Sequence, residues 1–349
     1  MTDALAALGW NDRWLALYTT AVEGRAAAHP SRPGRVVRHD GVAVLVAGDD
    51  AAESLPVLAS VEPAPVVGDW VVVDDDTDAV IEVLDRTSLL RRQDPDGATV
   101  QALVANLDIL LIVCGLDRPV KTGRIQRSAA LAWDAGATPV VVLTKADLAD
   151  GVEVDAIAEG VRAANPGLDV LVTSATDEQG LGEVRALAEG RTIVLLGESG
   201  AGKSTLTNAL VGDDVVATGE VRKGDSKGRH TTTRRELHVL PTGGVLIDTP
   251  GIRSVGLWVD PDAVAATFDD IEELGEGCRF RDCAHAGEPG CAVAAAVEAG
   301  ELAAARWEAW QELRKEAQSA ALRADAHAQH QADRRFGKIA REAQRQKRP

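Results

Sequence analysis

The sequence predicts a chain of three parts: a small N-terminal β-barrel, a central α/β domain, and a C-terminal cysteine-rich segment with helices. Short strand patterns divided by glycines fill the region between Arg35 and Arg92. In the middle of the chain, apolar runs of strand length alternate with helical patterns, as in open α/β sheets. Three cysteines and a histidine cluster near the C-terminus. We expect the three parts to span residues 1–97, 98–262 and 263–349.

The N-terminal part begins with a helical pattern and continues with short strands. Around Trp10, alanines, leucines and acidic residues indicate an amphipathic helix, without the basic start or cleavage site of a targeting segment. The strands predict an oligonucleotide-binding (OB) barrel, and by pattern alone an SH3-like barrel fits almost as well. A barrel with no role in nucleic-acid binding also stays open, because the segment is more acidic than basic. The strand patterns are Val36–Arg38, Val42–Val46, Trp70–Val73 and Ala79–Leu84.

A glycine-rich loop in the central part has the composition of a phosphate-binding loop. It follows the apolar run Ile193–Leu196 and leads into a helical pattern, the context that this motif requires. Its glycines let backbone N–H groups face a phosphate chain, and the helix N-terminus adds positive potential. Lys203 would reach the β- and γ-phosphates, and Ser204 would offer its hydroxyl to Mg²⁺. The loop consists of Gly197, Glu198, Ser199, Gly200, Ala201, Gly202, Lys203, Ser204 and Thr205.

Two segments downstream of this loop have the character of nucleotide switches. An apolar strand ends in Asp248-Thr-Pro-Gly251, where Asp248 can hold Mg²⁺ through water and the Gly251 amide can bond a γ-phosphate. Between the two motifs, the polar segment 228–233 has the composition of a switch loop. One of its threonines would complete the Mg²⁺ shell. The sequence does not choose among Thr231, Thr232 and Thr233, and we carry Thr232 and Thr233 forward as candidates.

The base-reading motif lies upstream of the phosphate-binding loop. The apolar run Pro139–Leu143 delivers a polar motif to a strand's carboxyl end, where open α/β sheets bind ligands. The Asp147 carboxylate can accept from the N1–H and 2-amino groups of guanine, which adenine does not present. A second strand, Asp169–Thr173, leads to a backbone amide suited to the guanine carbonyl. The candidate residues are Thr144, Lys145, Ala146 and Asp147 in the first motif and Ser174 and Ala175 in the second.

The cysteines divide into one buried thiol and one metal-like cluster. Cys114 lies in an apolar strand run and is interpreted as a core residue. The cluster offers three thiolates and one imidazole, which satisfy tetrahedral Zn²⁺, and nearby glycines and a proline supply the turns. A disulfide would leave one of the three thiols unpaired. The predicted ligands of this structural zinc are Cys278, Cys283, His285 and Cys291.

Together these motifs resemble those of the circularly permuted GTPases, in which base-reading motifs precede the phosphate-binding loop. The segments 228–233, 248–251 and 256–258, with the cysteine cluster, resemble the RsgA (YjeQ) family of bacterial GTPases, and the likeness covers nearly the whole chain. The resemblance implies an OB-like barrel, a circularly permuted P-loop GTPase domain, and one structural Zn²⁺ in addition to Mg²⁺ with GTP. It further implies late maturation of the small ribosomal subunit, with its rRNA as partner, subunit-stimulated hydrolysis to GDP, and nucleotide-dependent release.

Two positions depart from the usual GTPase motifs. Thr144 stands where Asn is usual, and its hydroxyl has a shorter reach. Ile252 follows Gly251 where many GTPases place a water-orienting Gln, so intrinsic hydrolysis should be slow. The resemblance assigns that role to His230, whose imidazole can orient water or accept its proton near neutral pH. An exposed loop histidine without this role is the alternative.

Charge and composition bound the cellular setting. The chain has 37 basic and 54 acidic residues, a net charge of −17 that opposes loose adhesion to RNA. A ribosome contact must therefore be local. The C-terminal tail, which is basic apart from Glu342, is either such a contact or a solvated terminus. Its basic residues are Arg334, Arg335, Lys338, Arg341, Arg345, Lys347 and Arg348.

The chain has no apolar run of membrane-spanning length, so we expect no membrane partner. We also expect a cytoplasmic monomer. A metabolic nucleotide-dependent enzyme would need a second substrate pocket, for which the sequence offers no residues. An RNA-binding adaptor with a degenerate nucleotide site would tolerate Lys203→Ala.

Overall fold

The computed structural model describes residues 3–23, 30–93, 100–212, 235–249, 261–319 and 322. The chain forms two compact units. The first consists of Met1–Leu90 and Ala102–Val255, and the second of Arg91–Gln101 and Gly256–Pro349.

Helices and strands alternate in the middle of the chain, between residues 109 and 211, after a run of strands and before a run of helices. The helices are α1 (Asp3–Ala7), α2 (Asp12–Val22), α3 (Thr122–Asp134), α4 (Gly151–Ala164), α5 (Leu181–Ala188), α6 (Lys203–Val211), α7 (Pro261–Thr267), α8 (Asp269–Glu276), α9 (Ala292–Ala299) and α10 (304–319). The strands are β1 (Ser31–His39), β2 (Ala43–Ala47), β3 (Ala52–Pro56), β4 (Trp70–Asp74), β5 (Ala79–Val83), β6 (Leu89–Gln93), β7 (Val100–Ala105), β8 (Ile109–Gly115), β9 (Thr138–Thr144), β10 (Asp169–Val172), β11 (Thr192–Gly197), β12 (Glu236–Val239) and β13 (Val245–Asp248).

Strands β1 to β5 form the predicted small barrel. Strand β1 pairs antiparallel with β2 and β4, β2 pairs with β3, and β4 pairs with β5. A parallel bridge between Val57 and Val80 joins the β3 side to β5, which gives the order β1-β2-β3-β5-β4-β1. Valines and a leucine fill the interior, including the fully buried Val36, Val44 and Val71. Burial alternates along β2, whose residues Val44 and Val46 are buried while Ala43, Leu45 and Ala47 are half-buried.

The central domain is an open sheet in the order β10-β9-β8-β11-β13-β12. The strands β10, β9, β8, β11 and β13 are parallel, and β12 runs antiparallel to β13. Helices cover this sheet, so β8 and β11 are buried over nearly their full length and read as continuous apolar runs. The carboxyl ends of five neighbouring strands therefore meet at one edge, where ligands bind in such sheets.

The barrel and the central sheet are continuous. Strand β1 pairs with β12 through Arg38 and Glu236, and Glu236 in turn lies opposite Asp248 on β13. The Arg38 guanidinium also lies 3.4 Å from the Glu236 carboxylate. A barrel strand is thus one strand removed from Asp248.

The buried Arg35 also connects the barrel to the central sheet through hydrogen bonds. Arg35 on β1 is 2% exposed and donates to the Gly68 carbonyl at 3.3 Å, the Thr192 hydroxyl at 2.8 Å and the Leu8 carbonyl. Burial lowers the pKa of Arg35 to about 10. Its guanidinium also lies over the ring of Trp70, 5.3 Å from the centroid. Arg35 therefore ties the N-terminal helices and the barrel to the start of β11, the strand that carries the phosphate-binding loop.

The second unit has its own core of helices. Phe268, Ile271, Val293 and Trp310 are almost completely buried in it. Arg306 on α10 forms an ion pair with Asp270 on α8 at 2.7 Å. No helix in the described part of the chain combines the length and apolar character that crossing a membrane requires.

Candidate functional site

The predicted phosphate-binding loop occupies the turn between β11 and α6. Gly200 and Gly202 have φ values of 78° and 89°, in the left-handed region that favours glycine. Gly202 forms the N-cap of α6, and a Cβ there would lie only 3.1 Å from the Thr144 hydroxyl. Ser204 and Thr205 lie in the first turn of α6. The loop therefore has the backbone path and the helix N-terminus that binding of a phosphate chain requires.

Lys203 and Asp248 are charged groups held in partly buried positions beside this loop. The Lys203 ammonium donates to the Gly197 and Glu198 carbonyls at 2.8 and 2.7 Å, and burial lowers its pKa. Burial also raises the pKa of Asp248, at the end of β13, against the opposing effects of His238 and Lys203. A buried ammonium is stabilised by an anion and a buried carboxylate by a cation. The pair therefore fits phosphate oxygens at Lys203 and a divalent cation at Asp248.

A hydrogen bond from Thr144 connects the predicted base-reading motif to the phosphate-binding loop. The Thr144 side chain is buried and donates to the Ala201 carbonyl at 2.6 Å. The Thr144 hydroxyl therefore reaches the phosphate-binding loop, although its side chain is shorter than that of the usual Asn. Lys145 follows with a positive φ of 63°, and its ammonium lies 2.9 Å from the Asp117 carboxylate.

The two predicted guanine-contacting segments lie side by side. Ser174 donates its hydroxyl to Asp147 Oδ1 at 2.8 Å, and the Ala146 amide donates to the Thr173 carbonyl at 3.2 Å. Asp147 itself is exposed, and Ala175 follows Ser174 in a half-buried turn. Because one oxygen of Asp147 is held by Ser174, the other is left for a base. The arrangement follows from the parallel pairing of β9 with β10.

Asp117 and Arg118 are site residues that sequence reasoning missed. They follow β8 at the same edge of the sheet as the loop and the base reader. Asp117 contacts Lys145, and Arg118 donates to the Ser199 carbonyl at 3.4 Å. An Asp-Arg pair immediately after a buried parallel strand was the available signal, since that is where ligands bind.

The four predicted zinc ligands are brought together in the second unit. Their ligand atoms all lie within 4.8 Å of one another. Cys278 Sγ lies 3.9 Å from Cys291 Sγ, and His285 Nδ1 lies 3.4 and 3.5 Å from those two sulfurs. Bonds of about 2.3 Å to sulfur and about 2.0–2.1 Å to nitrogen give tetrahedral edges of roughly 3.6–3.8 Å. Cys278, Cys283, His285 and Cys291 can therefore hold a metal ion.

Backbone and side-chain groups support this cluster from outside. The Ala292 amide donates to Cys278 Sγ at 3.3 Å, and Cys291, as the N-cap of α9, accepts from the Ala294 amide at 3.4 Å. The His285 ring packs 5.5 Å from the ring of Trp310. Such contacts orient ligands before a metal binds.

Several predicted residues lie outside the described part of the chain. They are His230, Thr231, Thr232, Thr233, Gly251, Ile252, the segment 256–258 and the basic tail from Arg334.

Comparisons with known proteins match this arrangement. The profile of the RsgA GTPase family matches residues 83–258. A profile of the ABC transporter family matches residues 185–339, an overlap that includes the phosphate-binding loop common to many nucleotide-binding proteins but excludes the base-reading motif at Thr144.

Relatives cover nearly the whole chain. A Streptomyces coelicolor protein named small ribosomal subunit biogenesis GTPase RsgA is 42% identical over 357 residues, spanning 98% of this chain and 96% of the relative. The protein of the same name from Xanthomonas axonopodis pv. citri is 43% identical over 332 residues, spanning 91% of this chain and 89% of the relative.

Two solved structures have the same fold. YjeQ from Thermotoga maritima is 27% identical, with a TM-score of 0.60 over 82% of this chain and 99% of that protein. YloQ, described as a circularly permuted GTPase, is 26% identical, with a TM-score of 0.59 over 83% of this chain and 96% of that protein. The predicted permutation and family resemblance are thereby confirmed. With the predicted base-reading motif, the predicted phosphate-binding loop and Asp248 meeting at one edge of a permuted sheet, this chain belongs to the RsgA family of GTPases.

Proposed function

We propose that this protein hydrolyses GTP to GDP and phosphate while it assists late maturation of the small ribosomal subunit. The subunit stimulates hydrolysis, and the change of nucleotide releases the protein. The observation that carries this proposal is the meeting of Asp147, Lys203 and Asp248 at one edge of the sheet, in a chain 42% identical to a named subunit-biogenesis GTPase over 98% of its length.

The nucleotide would lie along this edge. Asp147, with Ser174 and Ala175 beside it, reads guanine, and Lys145 covers the base. The loop from Gly197 to Thr205 cradles the phosphates. Ser204, Asp248 through water, and Thr232 or Thr233 would hold Mg²⁺, whose positive charge would offset the negative charge of the phosphate oxygens during transfer. The Gly251 amide bonds the γ-phosphate.

His230 is proposed to position the attacking water. Ile252 cannot bond water, so the chain needs another group for this task. A neutral imidazole can accept a hydrogen bond from water, and its ordinary pKa of about 6.5 suits a cytoplasmic enzyme.

The cysteine cluster is proposed to hold one structural Zn²⁺. Three thiolates and an imidazole form a closed four-ligand set, which is typical of structural rather than catalytic zinc. The metal would fix the segment 278–291, which has few apolar residues of its own. We propose that the chain has three functional parts: the N-terminal helix and barrel (1–97), the GTPase domain (98–262) and the zinc-binding segment with its helical tail (263–349).

We infer that contacts with the ribosome are confined to particular segments of the chain. An OB-like barrel and the basic tail from Arg334 would contact rRNA locally, since the net charge of −17 opposes diffuse binding. We propose a monomer that acts in the cytoplasm, with no membrane partner.

Sedimentation with small ribosomal subunits tests this function. We expect the protein to co-sediment with the subunit when a non-hydrolysable GTP analogue is present. It should dissociate from the subunit when GDP, or GTP that it can hydrolyse, is present instead. A His230→Ala variant should stay bound in GTP because it does not reach the GDP state. Equal sedimentation in all nucleotide states would contradict the proposal. Release of His230→Ala in GTP at the wild-type rate would contradict the role of His230.

A further inference from the structure

Asp117 and Arg118 form a charged link around the outside of the phosphate-binding loop. Asp117 Oδ2 accepts from Lys145 Nζ at 2.9 Å and from an Arg118 terminal nitrogen at 2.9 Å. Its other oxygen accepts from Arg118 Nε at 3.2 Å. One carboxylate therefore holds two cations that come from different strand ends.

Each cation reaches the phosphate-binding loop. Arg118 donates to the Ser199 carbonyl at 3.4 Å, and a terminal nitrogen lies 3.1 Å from the place a Cβ would take on Gly200. The stem of Lys145 passes over Gly202, with its Cε 3.8 Å from the corresponding point there. The link therefore touches two of the loop's three glycines, on the side that faces β8 and β9.

Asp117 is ionised and fixed in this arrangement. The hydrogen bond from Arg118, followed by that from Lys145, lowers the pKa of Asp117 to about 2. Lys145 has a backbone conformation with positive φ, which lysine rarely adopts, so its side chain leaves the strand end in a defined direction. Asp117 then fixes where the ammonium lies.

We propose that Asp117 and Arg118 act as a clasp that slows nucleotide release. This inference rests on the proposed function, since it requires guanine nucleotide in the loop. Dissociation requires the base to leave Lys145 and the phosphates to leave the loop. A link that holds Lys145 and the loop together opposes both movements. Asp117 is then a positioning residue, because it acts through Lys145 and Arg118.

The experiment measures release of a fluorescent GDP analogue from the full-length protein after addition of excess unlabelled GDP. Both side chains are partly exposed, which limits each contact to a modest effect. We expect release about fivefold faster for Arg118→Ala and about threefold faster for Asp117→Asn. Arg118→Lys should fall between Arg118→Ala and the wild type, because it keeps the charge without the planar fork.

Lys121→Ala is the matched control. Lys121 is exposed in the same loop and lines the same cavity of about 360 Å³ as Arg118, so its removal takes away one positive charge nearby. We expect release within about twofold of the wild type for this variant, since the screened charge alone contributes little.

Asp117→Asn separates positioning from charge. This substitution makes the region one charge more positive, so a pure charge effect would retain anionic GDP longer. The clasp predicts faster release instead. The clasp would be overturned if Asp117→Asn released GDP more slowly than the wild type or at the same rate, or if Arg118→Ala released it at the wild-type rate. In that case GDP binding by the wild type would still support the nucleotide site. A wild type that binds no GDP would overturn both.

Discussion

Replacing Asp147 with Asn should lower GTP affinity roughly 100-fold and create binding of xanthosine triphosphate. The variant loses the free carboxylate oxygen that accepts from guanine, and a hydrogen bond to a charged group is worth about 1.5–3 kcal/mol. Asn keeps the oxygen that Ser174 contacts at 2.8 Å in the wild type, so its amide nitrogen would face the base. Xanthine carries a carbonyl where guanine carries its 2-amino group, and that oxygen accepts from the amide. Equilibrium titration with both nucleotides measures the exchange.

Asp150→Asn is the control for this substitution. Asp150 lies three residues along the chain and caps α4 by accepting from the Val152 amide at 3.0 Å. Asn caps a helix as well as Asp does, so this variant removes the same charge without loss of the cap. It should bind GTP as the wild type does. Undiminished GTP binding by Asp147→Asn would show that another group reads the base.

Removal of the proposed zinc should unfold the second compact unit and leave the first folded. Structural zinc contributes about 10–16 kcal/mol in small zinc peptides, more than a short helical core can replace. We expect Cys291→Ala, or chelation of the wild type, to abolish hydrogen-exchange protection across α8 and α9. Protection of β8 and β11 should persist, because their core consists of apolar side chains alone. One zinc per chain by elemental analysis should accompany the folded state.

A clear result would contradict a structural role for the proposed zinc. If the chelated protein keeps its protection across residues 269–299 and its thermal midpoint, the cluster does not hold the unit together. Cys114→Ala serves as the comparison. Cys114 lies in β8, away from the cluster in sequence, and burial raises the pKa of its thiol to about 11. Its loss should cost stability in the first unit without removing metal.

The nucleotide site was largely predictable because its parts are local in sequence. The phosphate-binding loop needs a strand, glycines and a helix in succession. Strand β11 ends at Gly197 and helix α6 begins at Lys203, as this motif requires. The approach of Asp147 to Ser174 followed from two parallel strands that end at one edge. The roles assigned to the residues of this candidate nucleotide site, including His230, Thr232 and Thr233, remain predictions.

Long-range features were not predictable from local patterns. The pairing of Arg38 with Glu236 joins the barrel to the central sheet. The two residues are almost 200 positions apart in sequence, and no hydrophobic periodicity predicts that they pair. The predicted strand at Val36–Arg38 begins too late, because β1 also includes Pro33 and Gly34, residue types that strands seldom contain, and both pair with β4. Strand β3 was missed because its side chains are mostly exposed. The Thr144 contact with Ala201 depends on a distance of 2.6 Å that only the folded loop defines.

Hydrolysis of GTP and ATP by the purified protein, each with and without small ribosomal subunits, tests the central claim most directly. The proposed function predicts slow intrinsic turnover and strong stimulation by the subunit that is confined to GTP, because Asp147 rejects adenine and Ile252 cannot orient water. Equal turnover of both nucleotides, unchanged by subunits, would contradict the base reader and the ribosomal partner together.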